Sequence, residues 1–226
     1  MPDDRLKPAL RCALRRDAIG DASPYELRFP GRDGSGACLG AVHGDMAAGH
    51  PEVEQTFRDT MLAAGMPAGQ VAGLAQRLSA PAQANPLSAE ETLQVNAALR
   101  SGHALLDAMD EALLRKLYRS LDTCSAAAEV AGRSIAPEAL LLMALWINRT
   151  GDVAGLLGWL GGGGMPRTMA RPVPRAAGFV DAAAMRAYLR ATEYSVYNPS
   201  DVAHMIACVS AGAVLLPPDE PITATR

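Results

Sequence analysis

The chain has 226 residues, 49% hydrophobic and 20% charged, which is enough to enclose a core without covalent staples. Its 21 basic and 24 acidic residues leave a formal charge of -3, excluding a general attraction to nucleic acid or to an anionic membrane surface. Cys12, Cys38, Cys124 and Cys208 stand far apart with no CxxC pair, which argues against a zinc knuckle or dithiol redox motif and for reduced, mostly buried thiols.

The opening Met1-Pro2-Asp3-Asp4 is acidic with no apolar run behind it, so no cleavable export signal is expected and the cytoplasm is the default site of synthesis and residence. From Arg5 to Ile19, Leu6, Leu10, Ala13 and Leu14 recur at helical spacing, and Gly20 follows as a stop. Pro24 to Pro30 then alternates like a strand, Gly31 to Gly36 is turn chemistry, and Ala37 to Val42 returns as a second strand. This hairpin, residues 24–43, concentrates reactive groups: Glu26, Asp33, Ser35, Cys38 and His43, with Asp45 just beyond.

Helical periodicity resumes with Pro51 opening a segment that carries Val53, Phe57 and Met61 and ends at Gly65. A short helix follows on Val71, Leu74 and Leu78, then an Ala/Pro connector from Ser79 to Leu87. Ser88 and Glu91 form a capping box for a helix reaching Arg100. His103 to Gly132 reads as one long helix able to bridge two lobes, with Leu106, Met109, Leu113, Leu117, Leu121 and Cys124 on one side. Ala139 to Ile147 supplies nine apolar residues in a row between Pro137 and Gly151. A helix apolar on every side belongs in a core, and this one is too short to cross a bilayer.

Val153 to Leu160 predicts a further helix, broken by Gly161 to Gly164. Residues 161–178 form a Gly/Pro/Arg loop carrying Arg167, Arg171 and Arg175, which reads as a flexible solvated loop or as a basic flap over an anionic polymer. Asp181 caps a helix with Met185, Tyr188 and Leu189. Asn198-Pro199 opens the last helix, and residues 217–226 form a tail. The fold class is mainly α (α+β), in one domain over residues 1–216.

The order helix, acid-bearing hairpin, long helix, buried helix and closing helices resembles the phage-type lysozymes of the lysozyme-like superfamily. Cys38-Leu39-Gly40-Ala41-Val42-His43 is similar to that family's Thr-Ile-Gly-x-Gly-His strand, keeping one glycine and the histidine. Met143 to Gly151 with Leu156 and Leu160 resembles its central helix, and Ala191 to Asn198-Pro199 its last helix pair. Gly40-Ala41-Val42-His43 is also similar to a Gly-Leu-Met-Gln segment of lytic transglycosylases, without the Glu-Ser that those enzymes need. The resemblance implies a glycoside hydrolase acting on an amino-sugar polysaccharide, foremost the peptidoglycan glycan strand, with chitosan as a related substrate.

By position the resemblance assigns the family glutamate to Glu26 and its aspartate to Asp33. Because Pro24 places Glu26 beyond any helix end, Asp17, Asp21 and Asp45 compete for a catalytic role. Such cleavage needs a protonated carboxyl and a second group that holds water or stabilises the positive ring. Tyr25, Leu27 and Phe29 around Glu26 predict an apolar wall that would favour its acid form. Cys38 falls where the family holds its attacking water with a hydroxyl. Tyr25, Ser35, His43, Asn148 and Tyr194 are the expected substrate contacts.

His43 reads as a structural histidine paired with an acid, since no second ligand lies at metal spacing, so neither metal nor cofactor is expected. The expected partners are the polysaccharide, no nucleic acid, no membrane, and a delivery or immunity protein if the target is the cell wall after export or lysis. Two rival readings remain open: a non-catalytic lysozyme-like domain that binds glycan or protein, and a helical interaction module unrelated to lysozyme.

Overall fold

A computed structural model describes residues 5–31, 34–82, 84–162, 170–173 and 175–216. The chain is mainly helical, with ten α-helices and two small two-stranded sheets among the described residues. It divides into two compact units: Asp21–Leu114, and Met1–Gly20 together with Arg115–Arg226. The span expected as one domain thus contains two packed bodies. Among the described residues no helix is long and apolar enough to cross a membrane.

The discontinuous unit starts with α1 (Lys7–Ile19), whose stripe Leu6, Leu10, Ala13 and Leu14 is buried as the spacing predicts. Asp17 continues that stripe and is buried with it. The buried helix α6 (Pro137–Thr150) has proline in its first turn and ends on Gly151, whose φ of 68° suits a residue without Cβ. All nine residues from Ala139 to Ile147 are buried, because α1, α8 (Ala182–Ala191) and α10 (Pro199–Ala213) pack around α6. Helix α1 lies against α10 where Gly212 faces the Ala9 carbonyl. Helix α7 (Val153–Leu160) has the bounds expected from sequence and is capped by Asp152, which accepts from the Gly155 amide. Helix α9 (Glu193–Tyr197) is a five-residue turn that periodicity cannot resolve. Strands at Ser134–Ile135 and Phe179–Val180 pair in parallel. Residues 163–169 and 174 of the expected loop 161–178 lie outside the described residues, as does the tail 217–226.

The continuous unit contains α2 (Pro51–Ala63), α3 (Ala68–Ser79), α4 (Ala89–Ser101) and the first part of α5 (His103–Val130). Leu39, Val53, Phe57, Met61, Leu74, Leu78, Leu99 and Leu106 fill its core. The capping box of α4 forms in both directions: Ser88 Oγ accepts from the Glu91 amide, and Glu91 accepts from the Ser88 amide.

The hairpin differs from the expectation. Residues 24–30 meet the return segment through the Arg28–Cys38 bridge and through the Gly40 amide, which donates to the Pro24 carbonyl at 3.1 Å, and the regular hairpin is β1 (Cys38–Leu39) against β2 (Gly44–Asp45). The physical reason is Gly40, whose φ of 78° turns the chain after Leu39, so residues 40–43 are a tight loop rather than strand.

Candidate functional site

The loop 40–43 is held from α5. Asp110 accepts hydrogen bonds from the amides of Ala41 (2.7 Å) and Val42 (3.4 Å), and a Cβ on Gly40 would overlap its carboxylate. Burial pushes the Asp110 carboxyl up to about 6, against the two amides and Arg28, which favour the ionised form. Arg28 donates to the carbonyls of Gly40 (2.7 Å) and Ser23 (3.3 Å), so one guanidinium ties the incoming segment to the loop. Burial lowers the Arg28 pKa, opposed by its attraction to Cys38 and Asp110.

His43 is the one non-glycine residue with positive φ among the described residues, at 64°. This left-handed turn brings its Nε2 to 3.4 Å from Cys38 Sγ. Asp45, opposite Cys38 in the ladder, accepts from the amides of Gly36 (3.0 Å) and Ala47 (2.8 Å) through Oδ1. One ligand-type atom from each of Cys38, His43 and Asp45 lies within 4.8 Å of the others. Sequence spacing hides this trio, because the three residues meet only after the chain doubles back. Cys38 is fully buried.

Glu26 stands apart from that trio's chemistry. Tyr25, Leu27 and Phe29 pack against the core of the continuous unit, flanking the turn and bend that carry Glu26. Its carboxylate is half-exposed and accepts from Arg100 Nη1 at 2.8 Å. Beside it, the Tyr25 hydroxyl donates to Asp107 at 3.0 Å, and the Tyr25 ring meets His103 edge-on at 5.8 Å. Glu26, Tyr25, Arg100, His103 and Asp107 thus form one accessible polar patch. Asp33 lies outside the described residues. Ser35 is half-buried, and its carbonyl accepts from the Ala82 amide.

Asn148 and Tyr194 belong to the other unit, where a second polar cluster sits. Arg149, which follows Asn148, donates to Asp17 (2.5 Å) and to Asp201 (3.1 Å). The Tyr194 hydroxyl donates to the same Asp201 oxygen at 2.9 Å, and its ring packs edge-on against Trp146. Asp17, 1% exposed at its side chain, is sealed by this pair and so drops out as a competing catalytic carboxylate. Cys208 and His204 lie beside it, and burial pushes the Cys208 thiol up to about 11. Asp21 is exposed at the end of α1.

Sequence reasoning missed Asp110, Arg28, Asp107 and Arg149. Only Asp110 left a signal there, as an acid four residues after Leu106 at the edge of the apolar stripe of α5. No protein-family model, no curated protein and no solved structure matches the chain.

Proposed function

We propose that the chain is a lysozyme-like glycoside hydrolase acting on an amino-sugar polysaccharide, with the peptidoglycan glycan strand as the first substrate to test. The observation that carries this reading is the accessible patch around Tyr25, where Glu26 and Asp107 flank an aromatic ring. Sugars stack on such rings, and cleavage draws on two carboxyl groups. The element order α1, hairpin, α5, α6 and closing helices supports it as well. In this reading Glu26 donates the proton to the leaving glycosidic oxygen. Asp33 or Asp107 stabilises the positive ring, and water attacks the sugar. Arg100 must release Glu26 for that transfer, so substrate has to displace the ion pair.

That requirement, with the enclosure of Cys38, favours a second reading in which the same patch binds glycan without cutting it. Digestion of purified peptidoglycan and chitosan, followed by release of reducing ends, separates the two. Cleavage by the wild-type chain and a loss of about 100-fold or more in Glu26→Gln support the hydrolase. No release by either protein, with equal glycan affinity, leaves binding alone. Absence of both release and binding sinks the glycan reading altogether.

A further inference from the structure

We infer that Cys38, His43 and Asp45 form a zinc-binding site at the base of the hairpin. The donor set is thiolate, imidazole and carboxylate, the combination borderline-soft Zn²⁺ takes. The 3.4 Å between Cys38 Sγ and His43 Nε2 compares with about 3.6 Å for the S···N edge of a tetrahedron with ordinary Zn–S and Zn–N bond lengths. The edge of the coordination polyhedron is therefore nearly in place.

Three further observations converge on the trio. Asp45 accepts from the Gly36 and Ala47 amides through Oδ1, which fixes its carboxylate beside the other two ligands. His43 adopts a backbone conformation that histidine occupies at a cost, and its ring is thereby turned onto Cys38; strain of this kind persists where the surroundings over-determine it. The hairpin ladder sets Cys38 directly across from Asp45. Binding releases the Cys38 thiol proton to solvent, the imidazole enters neutral, and a water completes the fourth position. The Arg28 guanidinium near Cys38 lowers the affinity for a dication below that of an all-anionic site. The trio Asp17, His204 and Cys208 offers the same atom types, but its Asp17 already carries the Arg149 guanidinium. This inference is independent of the role given to Glu26.

The test uses the full chain, stripped with a chelator and titrated with ZnCl₂ and with CoCl₂ as a spectroscopic probe. Expected results are one ion per chain and, with cobalt, the visible bands of a tetrahedral ion plus thiolate-to-metal charge transfer. Cys38→Ser should weaken binding about 100-fold or more, beyond what loss of an outer-shell contact costs. His43→Gly should do the same while relieving the positive-φ strain, so it folds at least as well as wild type and keeps the test sound if the serine variant does not fold. His204→Gln should bind like wild type. The inference is overturned if the wild-type chain takes up neither ion, which would leave Cys38 and His43 in a thiol–imidazole hydrogen bond only. Retained binding in His43→Gly overturns it too, as does loss of binding in His204→Gln with retention in Cys38→Ser.

Discussion

Replacing Arg149 by alanine should destabilise the discontinuous unit more than any surface substitution. The guanidinium is 4% exposed and bridges Asp17, 1% exposed, and Asp201, 22% exposed. Removing it strands the Asp17 carboxylate in the interior, and breaking a buried pair in this way costs about 3–5 kcal/mol. With a urea dependence of about 2 kcal/mol per M for a body of this size, the midpoint should fall by about 2 M. Trp146 and Trp159, the only two tryptophans, both lie in this unit, so intrinsic tryptophan fluorescence reads its unfolding selectively. The double variant Asp17→Leu/Arg149→Met removes both charges and keeps the volume filled. It should recover most of the loss or exceed wild type, because the desolvation of two ions disappears with their attraction. A single Arg149→Ala variant with a midpoint within about 0.3 M of wild type would refute the reasoning.

Asp110 should make stability fall as pH rises. Its carboxyl is raised from the usual 3.8 to about 6, so the folded state holds the proton more tightly than the unfolded chain. The contribution is fully present below about pH 4 and lost as pH rises through 6, amounting to on the order of 3 kcal/mol at most. Urea midpoints by far-UV circular dichroism from pH 4 to 7 should therefore show a slope in wild type that Asp110→Asn flattens. Gly40→Ala should cost about 3 kcal/mol in thermal unfolding, since it adds left-handed strain to a side chain that pushes Asp110 off the loop. Gly212→Ala should lower the tryptophan-detected midpoint, because its Cβ would stand 2.5 Å from the Ala9 carbonyl and force α1 from α10, at about 1–3 kcal/mol. Ser88→Ala should cost about 1 kcal/mol in the continuous unit through loss of the cap on α4.

Helices are legible in this sequence because their signals are local. The capping box at Ser88 and Glu91, the prolines at Pro51, Pro137 and Pro199, and the apolar run from Ala139 to Ile147 each act within one or two turns, and each sits where its spacing predicts. The buried environment of α6 follows from composition alone, since no arrangement of that run leaves a polar face for water. Burial of a charge is different. Nothing in Arg149 or Asp17 marks them as partners, because 132 residues separate them and only the packing of α1 against α6 and α10 brings them together.

The same distinction runs through the candidate sites. Composition around residues 24–45 identifies the stretch densest in reactive groups, but turn geometry, glycine positions and cross-strand pairing decide which of them meet. Glu26 pairs with Arg100, and Cys38 turns inward to His43. Asp110 arrives from a helix some 70 residues later to fasten the loop between them. Local sequence determines elements and their apolar faces, since hydrogen bonding and burial within a segment depend on neighbours in the chain. Only tertiary structure decides the polar constellations, since a charge or ligand acquires its partner through space, and the chain records no distance between residues that folding has yet to join.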